Sequence, residues 1–240
     1  MLKFTIENSK LVDGQIIISL PAGYSCPFAL TCLAFAHKET GKIQDGEEQL
    51  VRCYAASEES AFKNARLARH HNFEQLKRCK TIAQIKSLIL SSLPESSHLV
   101  RIHSSGDYFS QAYFDAWLLV AMERPNQIFY CYTKAIPFWL KALKEGRIPS
   151  NFKLNASFGG KFDNLILPHD LKSATIVYSQ EQASFLGLEI DNNDELAWKQ
   201  DKSFALLIHG NGPQGSLQAN LFKKHVMAKI KAKKARLCNT

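Results

Sequence analysis

Six short apolar segments recur along the chain, each running into a polar or glycine-bearing turn, and this rhythm restricts the fold more than any other feature. They are QIIISL (15–20), HLVRIH (98–103), QIFYCYT (127–133), FKLNAS (152–157), ATIVYS (174–179) and FALLIH (204–209). Helical periodicity fills the intervals: 57–78, with Ser57 as its N-cap, 82–91, 111–124, 137–146 and 182–187. In 111–124, Tyr113, Phe114 and Trp117 share one side and read as core. Parallel strands need long crossovers, usually helices, so strands alternating with helices imply a parallel sheet with helices outside it. The expected fold is α/β, an incomplete (β/α) barrel of about six parallel strands with outer helices. Leu2–Glu7 adds a strand at the start. The polar, Gly-punctuated stretch around 38–52 reads as an inserted hairpin. The 240 residues, 45% hydrophobic, suit a single domain over 1–216 followed by a basic helix or tail over 217–240.

Ligand sites of such sheets lie at the C-terminal edge of the strands. The turns at that edge are PAGYSC, HSSGD, YTK, NASFGG, YSQE and HGNG. They supply Asp107, His103 and Lys134 as catalytic candidates, and Asp107, Asn155, Ser157 and His209 as cofactor-binding candidates. Each also has a plainer role open to it. Asp107 suits a helix-entry turn, His103 a satisfied buried histidine, and Lys134 a solvated surface.

No run of eighteen apolar residues marks a membrane span, and the start lacks a signal-peptide pattern. The chain is therefore expected in the cytoplasm, where thiols stay reduced. Six cysteines then point to metal binding, catalysis or burial rather than disulfides. Cys79, Cys131 and Cys238 read as structural. Cys26 and Cys32 stand apart, six residues from each other in a loop that holds Pro27, and Cys53 follows the hairpin. On a helix, six steps of about 100° would turn one side chain about 240° from the other. A loop wrapped around a compact object would instead aim them together. Three thiolates suit zinc or an iron–sulfur cluster. The C-x(2–4)-C pairs usual for structural zinc are absent, and three thiolates on a four-iron cluster leave one iron open.

The charge of +8 is uneven. From Lys202 onward the chain has eight Lys and Arg and no Asp or Glu, so the remaining 22 basic residues balance the 22 acidic ones. Lys223, Lys224, Lys229, Lys231, Lys233, Lys234 and Arg236 concentrate this charge and are candidate phosphate contacts for nucleic acid. A solvated basic helix is the alternative.

The motifs LPAGYSCPFALTC, RCYAAS, HNF, RIHSSGDYFSQAYFDAW, FYCYTK, NASFGGK and LLIHG together resemble the phage- and plasmid-borne gene product 88 family, from about Gly14 to Gly215. The order of features is also similar, more distantly, to radical S-adenosylmethionine (SAM) enzymes. In those, a three-cysteine loop after the first barrel strand holds a four-iron cluster, and a Gly/acid motif ending the second strand holds the methionine amine of SAM. The resemblance implies that Cys26, Cys32 and Cys53 hold a [4Fe–4S] cluster, that Asp107 binds SAM, and that cleaved SAM yields a radical. The spacing here, C-x5-C-x20-C, departs from the usual C-x3-C-x2-C. The alternative is a non-enzymatic nucleic-acid-binding protein of a mobile element, with zinc or no metal.

Overall fold

In a computed structural model, residues 1–6, 15–208 and 215–220 are described. Among these residues the chain forms one seven-stranded sheet. Its strands are β1 (Phe4–Ile6), β2 (Gln15–Ile18), β5 (Leu99–Ile102), β6 (Ile128–Thr133), β7 (Phe152–Ser157), β8 (Ser173–Val177) and β9 (Phe204–Leu207), in that spatial order. Only β1 runs antiparallel to its neighbour. The other six are parallel, and each lies beside the next in sequence. The sheet stays open, since β2 and β9 do not pair. A small separate hairpin, β3 (Ala34–Ala36) and β4 (Ile43–Asp45), makes up the insertion and starts earlier than its polar sequence indicated.

Successive side chains of a strand point to opposite faces, and the sequence uses the two faces differently. The register aligns Ile18, Ile102, Cys131 and Leu154 across four strands. All four belong to the main core on the first face. There they pack with α2 (Lys63–Arg78), α3 (Ile82–Ser92), α4 (Gln111–Glu123) and α5 (Ile136–Lys144). Tyr113, Phe114 and Trp117 are fully buried in that core, as their spacing required. The opposite face presents Gln15, Arg101, Tyr130, Tyr132 and Asn155. It is covered by α7 (Glu195–Lys199), whose Ala197 joins a second core with Tyr130 and Phe204. The short α6 (Gln180–Phe185) contributes Ala183 to a cluster with Val177 and Ala205.

Local chemistry explains three of the seven described helix starts. The side chains of Thr81, Ser110 and Ser179 accept from the amides of Gln84, Tyr113 and Gln182, as N-caps do. The helix expected from Ser57 is in fact two helices. α1 (Tyr54–Ala61) begins one residue after Cys53, so Ser57 lies inside it, and extended backbone at Phe62 separates it from α2. No described helix is long and apolar enough to cross a membrane.

Candidate functional site

The loop from Leu20 to Leu33 carries Cys26 and Cys32 across the C-terminal edge of the parallel strands. Two neighbouring turns hold it in place. On one side the Leu20 amide donates to Ser105 O (2.9 Å), and Ser19 Oγ meets Ser104 Oγ at 2.7 Å. On the other, the amides of Leu30 and Thr31 donate to Gly159 O (3.1 and 3.0 Å), and the Lys161 amide donates to Phe28 O. The glycines of HSSGD and NASFGG are therefore contact points. Gly106 has φ +86°, and a Cβ there would stand 2.5 Å from Ser25 Oγ and 2.6 Å from Leu20 Cβ. Gly159 has φ +95°, and its Cβ would stand 2.5 Å from Thr31 Oγ1. Both sites need left-handed backbone and the absence of a side chain. The Leu50 and Val51 amides donate to Thr31 O, which returns the chain to this loop just before Cys53.

Cys26, Cys32 and Cys53 are half-buried free thiols. Burial pushes the Cys26 thiol well up, and the charges of Asp107, Cys53 and Cys32 push it further. Burial raises Cys53 to about 11 with Cys32 adding to it, while the Ala56 and Ala55 amides and Lys134 favour its thiolate. Cys26 thus lies within electrostatic reach of Asp107, Cys32 and Cys53, and Cys53 within reach of Cys32 and Lys134. Among the described residues, no three or more His, Cys, Asp or Glu side chains are gathered as a single ion would require.

Asp107 is buried, and three donors hold its carboxylate: Thr133 Oγ1 (2.6 Å), the Tyr108 amide (2.8 Å) and the Lys134 amide (2.8 Å). Burial raises its pKa and these hydrogen bonds oppose the rise. A carboxylate has about four acceptor positions, so Asp107 ties the HSSGD turn to the end of β6 and keeps one position for a further donor. Lys134 Nζ donates to Ser157 Oγ (2.7 Å), which brings two candidates from adjacent strand ends together.

Glu59 carried no signal beyond its spacing. It shares the buried face of α1 with Ala55 and Ala56, where a carboxylate is out of place. Its Oε1 accepts from the Ala22 amide, Ser105 Oγ and Arg69 Nη1, each at 3.0 Å. One oxygen therefore joins the cysteine loop, the HSSGD turn and the helices that follow Cys53. Burial raises its pKa, against the pull of Arg69.

Two candidates lie elsewhere. His103 has φ +69°, which turns its ring toward the helix side, where Nε2 meets Tyr113 OH at 3.0 Å and the ring packs edge-on against Tyr108. Burial, helped by Arg101, lowers its pKa to about 3. Its ring therefore lies in the core, and burial favours its neutral form. Asn155 is fully buried beneath α7, where Nδ2 donates to Cys131 O and Ala197 O. His209, Cys238 and the basic residues from Lys223 to Arg236 lie outside the described residues. Two surface hollows, of about 340 and 420 Å³, flank the hairpin, and neither is lined by a cysteine.

The state of His103 predicts an acid sensitivity. Between about pH 6.5 and 3 the unfolded chain takes up a proton that the folded chain refuses. Stability from this group is complete above pH 6.5 and falls with acidification, by up to about 1.4 kcal/mol per pH unit. Glu59 and Asp107, with raised pKa values, act in the opposite sense at lower pH. Urea midpoints of the wild type and His103→Gln at pH 7 and pH 5 separate these effects, and the variant should show the smaller loss.

The family model described as gene product 88 matches residues 2–240. No curated protein and no solved structure matches the chain.

Proposed function

The chain belongs to the gene product 88 family, and we propose that it is a radical-SAM-like iron–sulfur enzyme of a phage or plasmid, built on an incomplete (β/α) barrel. The observation that carries this reading is the seating of the Cys26–Cys32 loop on the turns at the C-terminal edge of the parallel strands, with Cys26 in electrostatic reach of Cys32, Cys53 and Asp107. Six sequentially adjacent strands have the order of a barrel cut before closure. A structural zinc wants four donors on one ion, whereas a four-iron cluster binds each thiolate on a different iron and so suits thiols spread along a loop.

In this reading Cys26, Cys32 and Cys53 hold the cluster and leave one iron open to SAM. When bound, the reduced cluster supplies the electron that cleaves SAM to a carbon radical. The chain's own residues do the positioning. Lys134 balances negative charge at the thiolates and, with Ser157, offers donors to a polar cofactor. Asp107 offers its remaining acceptor position to the methionine amine. Glu59, Gly106 and Gly159 fix the loop. Anaerobic incubation of reduced protein with SAM tests the reading: methionine and 5′-deoxyadenosine should form. If iron-loaded protein gave neither, SAM chemistry would be excluded.

A nucleic-acid partner would be met by the basic residues from Lys223 to Arg236. The Gln218 side chain accepts from the Arg52 amide and donates to Arg52 O, both at 2.9 Å, which places the start of the basic segment beside Cys53. Deleting 222–240 should sharply reduce DNA and RNA binding, because affinity scales with the phosphates neutralised. Undiminished, salt-sensitive binding by the shortened chain would remove the tail from this role.

A further inference from the structure

The second face of the sheet holds a polar cluster that the iron–sulfur reading does not use. Residues 189–200 cross this face as a strap. At its start the strap is held to β9, where the Ala205 amide donates to Glu189 O (2.7 Å) and the Asp191 amide to Ala205 O (2.9 Å), and its middle is pinned by Asp194. Asp194 Oδ2 accepts from Arg101 Nη1 (2.5 Å) and Tyr130 OH (3.0 Å), and Oδ1 accepts from Tyr132 OH (3.0 Å). The Arg101 guanidinium also lies 5.3 Å from the centroid of the Tyr132 ring. The other end is held by Lys172, whose Nζ donates to the carbonyls of Leu196, Ala197 and Gln200.

Three features set this interface apart from a permanent core. Asp194 has φ +66°, a left-handed backbone uncommon outside glycine. The covered surface is polar: Gln15, Arg101, Tyr130, Tyr132 and Asn155. It is also poorly satisfied. Among the described residues twelve buried side-chain polar atoms have no partner; three belong to this surface, Gln15 Oε1, Arg101 Nε and Asn155 Oδ1, and two to the strap above it, Asp191 Oδ2 and Trp198 Nε1. Buried polar groups are normally paired, and a half-satisfied network is worse than an apolar one. The surface beneath the strap is therefore better matched to some other occupant.

We propose that Arg101, Tyr130 and Tyr132 form a carboxylate-binding site, which Asp194 fills in place of a ligand. The ligand is a small carboxylate that carries N–H or O–H donors, which the free acceptors Gln15 Oε1 and Asn155 Oδ1 would take. When it binds, its carboxylate displaces Asp194 and the strap lifts. Arg101 and Asp194 both act electrostatically on Tyr54, the residue after Cys53. The inference stands on this face alone and does not require iron.

Sodium acetate, compared with sodium chloride at equal ionic strength, is the probe. Asp194→Gly keeps the left-handed backbone and removes the carboxylate. Its melting temperature should fall and acetate should restore it saturably. Amide exchange over 195–200 should quicken about tenfold or more while β6 and β7 stay protected. Lys172→Met retains Asp194 and frees the other end of the strap, and it serves even if Asp194→Gly does not fold. In it, acetate should speed exchange over 195–200 several-fold by competing with Asp194. Acetate indistinguishable from chloride in Lys172→Met would overturn the proposal, as would a strap equally protected in Asp194→Gly and the wild type. In either case Arg101–Asp194 would be only a structural clasp.

Discussion

Replacing Cys26, Cys32 or Cys53 by alanine, one at a time, should remove most of the iron from the protein, while Cys79→Ala and Cys131→Ala keep it. The reason is coordination. Three thiolates are the smallest set that leaves a four-iron cluster with one open iron, and each loss strips a second iron of its protein ligand. Cys131 is buried in β6 among the residues of the main core, and Cys79 ends α2 with its thiol directed at Gln75 O. The raised pKa values of Cys26 and Cys53 add a pH dependence. Both thiols are protonated at pH 7, so metal uptake must release their protons. Affinity should therefore rise with pH up to the thiol pKa, by as much as about one log unit per pH unit for each thiol that must ionise. Iron retained in Cys53→Ala and lost in Cys131→Ala would show that the ligands are assigned wrongly.

Gly106→Ala should cost about 2–5 kcal/mol, from about 1–2 for left-handed backbone at a residue with a Cβ and about 1–3 for overpacking. The clash has no easy relief. Ser25 Oγ, 2.5 Å from the new carbon, is already donating to Pro21 O, and Leu20 Cβ on the other side is fixed to the backbone. A loss of that size is a large part of the 5–15 kcal/mol typical of a domain. It should also unseat the cysteine loop and lower iron content. Gly187→Ala is the control, since Gly187 has φ +65° but nothing within 4 Å of a new Cβ. It should lose only the backbone part and keep its iron. Equal denaturation midpoints for the two variants would mean that the HSSGD turn does not seat the loop.

The sheet was legible because its strands obey simple rules. FKLNAS matches β7 residue for residue, and the alternation of Phe129 and Cys131 with Tyr130 and Tyr132 separates an apolar face from a polar one. The shared edge followed from parallel strands, whereas the contact of Lys134 with Ser157 on it emerged only in the structure. Less was visible where tertiary contacts decide. Nothing in FKNAR announces the break at Phe62, where neither Gly nor Pro stands. The five-residue α7 has no periodicity to read, and it is placed by Asp194 and Lys172 acting on residues far away in sequence. That strap is also why Asn155, which lies within β7 rather than at its end, is covered. His103 kept its place at the end of a strand, but a left-handed backbone turned its ring into the core. Glu59 shows the reverse case. Its position in line with Ala55 and Ala56 was a signal, since a carboxylate on the buried side of a helix needs partners.

The central claim is that the three cysteines at the head of this sheet hold an iron–sulfur cluster. Iron and acid-labile sulfide, measured per chain in protein purified without oxygen, test it most directly. The account predicts about four of each, both lost in the Cys26, Cys32 and Cys53 variants. Zinc in place of iron, or protein free of both iron and sulfide, would contradict it.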